Sequence, residues 1–310
     1  MQKKYYAINR EVMFDTYELC KTNEELIQAI NYTINNQKVI LEKEQVIVIH
    51  GGKPSKMFVS SKRTFEAASF YKGKKVAVLN FANNRNIGGS PYSASAQEES
   101  LCRCSTLLPC IQACEETFYI PHRHAILQGE IDKYGNDDII YSPDVVVFKT
   151  DTLEPELLPK EEWFKVDVIT SAAPEAYGSY NEDKLYRALK SRIIRILDVA
   201  LENNVEVLIL GAFGCGAFGN PPKMVAEIFY GLLKRYNFEV VEFAVYTRND
   251  TTNYDVFKEI IEKPYEEEKP IKFVYVMKNG IMMRVPEEVA KTMDCAKPKS
   301  VREINISNKV

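Results

Sequence analysis

Residues 74–100 read KKVAVLNFANNRNIGGSPYSASAQEES. The unbroken apolar run KKVAVLNFA (74–82) predicts a strand buried on both faces, and the chain after about Gln97 predicts a helix. Between them lies a loop in which Gly88-Gly89 removes side chains where a ligand or another backbone must come close. Strand, glycine loop and helix in that order form one unit of an α/β sheet. In open sheets of that kind, ligands bind beyond the carboxyl ends of the strands.

The same alternation continues outward. Downstream, DVVVFKT (144–150), VDVITSAA (166–173), VEVLILGA (205–212) and VVEFAVYT (240–247) read as further strands. Between and after them, NEDKLYRALKSRIIRILDVALENN (181–204), PPKMVAEIFYGLLKRY (221–236) and YDVFKEIIEK (254–263) carry apolar residues at helical spacing. The helix from Gln97 is expected to break at Pro109 and to end near Phe118, with a polar loop over 129–142. Upstream, Thr22 with Glu25 reads as a capping box before an amphipathic helix, QVIVIHGG (45–52) as a strand and TFEAASFY (64–71) as a short helix. The charged segment KPYEEEKP (263–270) reads as a linker, and Asn279-Gly280 between two apolar runs predicts a hairpin. The chain therefore reads as α/β, its sheet covered on both faces.

The chain has 310 residues, with 40 Lys plus Arg against 43 Asp plus Glu and a net charge of −3. That balance argues against a protein that tracks nucleic-acid phosphates with a basic surface. No apolar run approaches the ~20 residues of a membrane span, and MQKKYYAINREV has no apolar core of a signal peptide. Seven cysteines without an export signal point to reduced thiols and a cytoplasmic location. Cys102, Cys104, Cys110 and Cys114, followed by His122 and His124, invite a zinc reading. No pair has the C-x2-C spacing of common zinc sites, and Cys102 and Cys104 face different sides of a helix, so buried thiols without metal are expected.

Two loops carry the candidate chemistry. In the first, Asn80, Asn83, Asn84 and Asn86 supply neutral amides suited to sugar hydroxyls, and Gln97-Glu98-Glu99 places two carboxylates at a helix start. Acids there also serve the helix dipole alone. In the second loop, LGAFGCGAFGNPP (210–222), Gly211, Gly214, Gly216 and Gly219 leave amides free near a helix N-terminus, the setting for an anionic phosphate. Phe213 and Phe218 offer flat walls for a sugar or base. Neither loop ends in the Gly-Lys-Ser/Thr of a P-loop, which disfavours nucleoside triphosphatases.

Gly88-Gly89-Ser90, six residues and Gln97-Glu98-Glu99 resemble the Gly-Gly-Gly, spacer, Gln-Glu-Glu signature of macrodomain-type poly(ADP-ribose) glycohydrolases. VLNFANNRNIGG, EESLCRCSTLLP, SPDVVVFKTD, VDVITSAAPE and LGAFGCGAFGNPP extend the likeness to the bacterial-type branch over roughly residues 60–260. The resemblance implies a macrodomain-like three-layer α/β/α fold with a mixed sheet. It implies a helical N-terminal extension; with the strand, linker and hairpin read above, the chain divides into a helical extension with a strand over 1–72, a catalytic domain over 73–262, and a linker with a small hairpin appendage over 263–310. It further implies ADP-ribose and ADP-ribosylated substrates as partners, no cofactor and no metal. By position, Glu99 resembles the catalytic acid/base, and Glu98 the neighbour that holds the ribose at the scissile bond. Asn83, Asn86, Gly88, Gly89, Ser90 and Gln97 on the first loop, and Gly214, Cys215, Gly216, Ala217 and Phe218 on the second, resemble substrate-binding positions. The adenine-stacking residue has no clear place; Tyr246 is a candidate against an ordinary buried aromatic.

The implied activity is exo-type release of ADP-ribose from poly(ADP-ribose) through an oxocarbenium-like transition state. Burial and a neighbouring like charge would raise the pKa of the acid, Glu99. The alternatives are hydrolysis of mono-ADP-ribosylated protein, nucleic acid or a small derivative, and a reader of ADP-ribose without turnover. Ser90 stands where the signature has its third glycine, and would be strained if that position required positive φ.

Overall fold

The computed structural model describes residues 2–44, 55–264, 273–278, 281–286 and 291. In chain order, two helices, α1 (Gln2–Thr22) and α2 (Glu24–Asn36), precede strands β1 (Lys38–Ile40) and β2 (Lys56–Ser60). Asn23, not Thr22, caps α2: its side chain accepts from the amides of Glu25 and Leu26 at 3.1 and 3.2 Å. Thr22 closes α1 instead, its hydroxyl donating to Glu18 O. Asparagine in an extended conformation one residue later reaches the same orphan donors, so the cap signal is real and shifted by one. The strand expected over 45–52 lies outside the described residues.

Next come α3 (Thr64–Ala68), continued by a 3-10 turn at Ser69–Tyr71, then β3 (Val76–Phe81), α4 (Gln97–Cys104) and α5 (Leu107–Gln112). The break between these last two helices falls at Ser105 rather than Pro109. Ser105 is extended and bridges to Val147, while the Thr106 amide donates to Val146 O. Pro109 sits in the first turn of α5, where its missing N–H has no helical acceptor to serve. A π-helical turn at Glu115–Tyr119 leads into α6 (Ile120–Leu127), and β4 (Ile139–Val147) begins inside the expected polar loop. Then follow β5 (Phe164–Ser171), α7 (Glu182–Glu202), β6 (Val207–Leu210), α8 (Pro222–Leu233), β7 (Val240–Ala244) and α9 (Thr252–Ile261).

Seven strands form one sheet in the order β1-β4-β5-β3-β6-β7-β2. The five from β5 to β2 run parallel and β4 is antiparallel to its neighbours, so the sheet is mixed. Alternation along β3 divides the core into two layers. Ala77 and Leu79 pack with Leu185, Leu189, Ile193, Phe229 and Phe257 of the helices on one face. Val76 and Val78 pack with Phe65, Leu101 and Leu107 on the other. A helix layer on each side of a mixed sheet is the three-layer α/β/α arrangement expected of the sequence.

Helix α1 is fastened by a lysine from the middle of the chain. Lys149 is 2% exposed, and its ammonium donates to Val12 O and to the Thr16 hydroxyl and pairs with Asp15 at 2.6 Å. Among the described residues no helix is long and apolar enough to cross a membrane. By backbone contacts Met1–Lys263 forms one compact unit and Pro264–Val310 a second. In the second unit β8 (Phe273–Lys278) and β9 (Ile281–Pro286) pair antiparallel, as a hairpin requires.

Candidate functional site

Strands β3 and β6 are parallel neighbours at the centre of the sheet, so the two glycine loops leave its same edge side by side. Gln97 joins the start of α4 to the end of β3. Its carbonyl accepts from the Phe81 amide, and its NH2 donates to Leu79 O and the Thr64 hydroxyl. With its polar atoms so occupied, Gln97 holds the frame of the site.

Glu98 and Glu99 follow on the first turn of α4, 3% and 8% exposed. Glu98 accepts from the Asn83 amide at 2.8 Å and the Asn80 side chain at 3.3 Å. Glu99 accepts from the Ser90 amide at 3.1 Å. Both carboxylates converge on Gly89: a Cβ there would stand 2.3 Å from Glu99 Oε1 and 3.3 Å from Glu98 Oε2. Burial pushes the Glu98 carboxyl up to about 8; the Asn83 amide opposes this, the Glu99 charge adds to it and the Asn80 amide opposes it again. Glu98 is the deeper of the pair.

The loop glycines serve the protein's own packing more than the sequence suggested. Gly88 and Gly89 have φ of +68° and +66°, and a Cβ on Gly88 would strike Leu108 Cδ1. In the second loop, a Cβ on Gly214 (φ +71°) would strike the Asn220 amide and Ala173, whereas at Gly216 it would meet open space. Gly216 and Ala217 are exposed, and Cys215 and Phe218 half-buried. Ser90 is not among the residues with positive φ, so the departure from a third glycine carries no backbone strain. Asn83 Oδ1 accepts from the amides of Arg85 and Asn86, which turns the loop and leaves Asn86 exposed.

A cavity of about 320 Å³ opens between the loops. Gln97, Gly214, Gly216, Ala217, Phe218 and Tyr246 line it, together with Arg63, Ser95, Ser100 and Asp151. Glu98 and Glu99 do not. Each helical residue turns about 100° from the last, so Gln97 faces the cavity and the glutamates lie beside it, under the 83–90 loop. Asn83, Asn86, Gly88, Gly89, Ser90 and Cys215 also lie outside the lining.

Phe213 is no wall of this cavity: it is fully buried, with its ring against Phe81. Tyr246, against the ordinary buried aromatic, is 42% exposed at the cavity, and the Arg63 guanidinium lies 4.9 Å over its ring. Arg63 is held by Asp151 at 2.7 Å and by Ser100, whose hydroxyl also donates to Asp151. The sequence reading missed this Arg63–Ser100–Asp151 cluster, which joins three distant segments and has no local signature.

Cys102, Cys104, Cys110 and Cys114 are buried free thiols. Burial pushes Cys110 up to about 12 and Cys114 to about 11, which keeps both protonated and poor metal ligands. His122 is buried with its ring nitrogens on Phe118 O and Asn136 Oδ1. Among the described residues no group of three or more His, Cys, Asp or Glu is placed to hold a metal ion.

Sequence comparison with curated proteins gives no match. The sequence model of the family described as "Microbial-type PARG, catalytic domain" matches residues 6–150. The fold is similar to poly(ADP-ribose) glycohydrolase of Thermomonospora curvata, at 28% identity and a TM-score of 0.71 over 82% of this chain and 99% of that one. The same enzyme bound to the inhibitor ADP-HPD gives a TM-score of 0.70 at 28% identity, over 81% and 98%. Poly(ADP-ribose) glycohydrolase of Deinococcus radiodurans in complex with ADP-ribose is 30% identical, with a TM-score of 0.65 over 74% of this chain and 95% of that one. With the paired glutamates between two glycine loops, these likenesses establish that the chain belongs to the microbial-type poly(ADP-ribose) glycohydrolases.

Proposed function

We propose that the protein hydrolyses the ribose–ribose bond of poly(ADP-ribose) and releases ADP-ribose from chain ends. The observation that carries this reading is the pair of adjacent buried carboxylates meeting at Gly89 beside a nucleotide-sized cavity. A pure binder of ADP-ribose has no use for two acids so costly to bury.

The bond to be broken joins the anomeric carbon of the terminal ribose to a hydroxyl oxygen of the next unit. As it breaks, positive charge grows on the sugar and negative charge on the leaving oxygen. The leaving oxygen needs a proton as it departs. Glu99 passes that proton to the leaving oxygen. Its resulting carboxylate, held by the Ser90 amide, then takes a proton from the water that attacks the anomeric carbon. Glu98, fixed by Asn80 and Asn83, orients the sugar. Gly216 and Ala217 offer backbone to the diphosphate, Phe218 packs on the terminal ribose, and Tyr246 gives the base an exposed ring.

The test is to quantify ADP-ribose released from poly(ADP-ribose) and, separately, from mono-ADP-ribosylated protein. Release from polymer, lost by at least 1,000-fold in Glu99→Gln while ADP-ribose still binds, is the expected result. An equally active Glu99→Gln variant, or binding without release from polymer, would sink the reading.

A further inference from the structure

The spacer between the two halves of the Gly-Gly…Glu-Glu motif is gripped from behind by α1. The Asn9 side chain, 2% exposed, donates from Nδ2 to Ser93 O at 3.1 Å, Ala94 O at 3.0 Å and the Ser95 hydroxyl oxygen at 2.9 Å. From the other side Arg103 donates to Pro91 O and Ala94 O, both at 2.8 Å. The two backbone carbonyls can only accept, so the group Asn9 presents to the loop must be its NH2. Its two hydrogens are shared among the three acceptors, and facing an NH2 the Ser95 oxygen can only accept, so the Ser95 hydroxyl hydrogen is left to donate elsewhere. No acceptor for it is found among the described residues. Ser95 is exposed and lines the cavity, so that hydrogen is available to the cavity.

We propose that Ser95 is a ligand-binding residue whose hydroxyl donates to an acceptor oxygen of the bound nucleotide, and that Asn9 is the positioning residue that sets its direction. This rests on the reading of the cavity as an ADP-ribose site. With one lone pair turned to Asn9, Ser95 keeps its hydrogen to donate and a second lone pair. Its hydrogen suits a phosphate oxygen, which has lone pairs and no proton, or the oxygen of a ribose hydroxyl. A hydroxyl free to rotate would pay entropy to make the same bond; one fixed by a buried amide on a helix is already aimed.

The experiment is calorimetric titration of ADP-ribose and adenosine into the full-length protein, with thermal melts of each variant. Ser95→Ala is expected to weaken ADP-ribose binding about 10-fold with an unchanged melting temperature. Asn9→Ala is expected to weaken it too, and by at least threefold less in the Ser95→Ala background than in wild type. That coupling separates positioning from a merely structural role, which would leave the Asn9 effect the same in both backgrounds. A loss confined to ADP-ribose places the acceptor on the diphosphate side; an equal loss with adenosine places it on the adenosine ribose. Ser95→Ala binding ADP-ribose as tightly as wild type would overturn the proposal, and absence of coupling would overturn the part assigned to Asn9. Wild type failing to bind ADP-ribose would instead overturn the functional reading beneath it.

Discussion

Replacing Glu98 by Gln is expected to stabilise the protein by an amount that grows with pH. In the unfolded chain the carboxyl ionises near its ordinary value of 4.5; in the fold burial holds the proton until about 8. Between those values the folded state carries one proton more than the unfolded state. Stability from this group is therefore complete below about pH 4.5, falls by about 1.4 kcal/mol per pH unit, and levels off above about pH 8. Over that 3.5-unit window the total is about 5 kcal/mol, undiminished by solvent because the side chain is buried. Gln cannot ionise, so the difference between variant and wild type should climb through the window and flatten beyond it. The Gln side chain keeps the acceptor for the Asn83 amide but turns an NH2 toward the Asn80 amide, which adds an offset that does not vary with pH. The observable is consequently the slope. Urea denaturation of both proteins at half-unit steps from pH 5 to 9 measures it. A stability difference that stays constant within about 1 kcal/mol across that range would refute the assignment of a buried, protonated Glu98.

Two further outcomes are expected. Gly89→Ala forces a side chain at φ +66° and drives a methyl into the space of Glu99 Oε1, so turnover of poly(ADP-ribose) should fall at least 100-fold. Its melting temperature should drop by only a few degrees, as a thermal melt would show. Lys149→Met removes the ammonium on which Val12 O, the Thr16 hydroxyl and Asp15 converge, so chemical denaturation should report a loss of about 2–4 kcal/mol.

What could be read from the sequence was what is local. β3, the loop after it and the start of α4 follow from an apolar run, two glycines and an acidic turn, all within residues 74–100, and the glutamate pair came with them. The helix break was misplaced because Ser105 is drawn out of the helix by Val147, forty-two positions on, which no local pattern records. Phe213 and Phe218 look alike in the sequence, five residues apart; the turn between them sends one into the core and the other to the cavity. Arg63, Ser100 and Asp151 meet only because α3, α4 and the segment after β4 pack together. At Gly88 and Gly89 the sequence points to a ligand or another backbone coming close, whereas what approaches is side chains of the same chain, Leu108 and Glu99.

The clasp of Lys149 on α1 also bears on how the molecule is made. The helix leaves the ribosome well before its partner, which lies 133–137 residues behind. At 5–20 residues per second, the helix waits roughly 7–27 s before that lysine has been synthesised. Until then Val12 O and Asp15 lack the ammonium while Thr16 can already close on Arg103 O, and Asn9 waits for most of that time before the 91–95 loop emerges. Nascent chains stopped short of Lys149 would therefore carry every residue of the glutamate motif yet lack the clasp that seats the helix behind it.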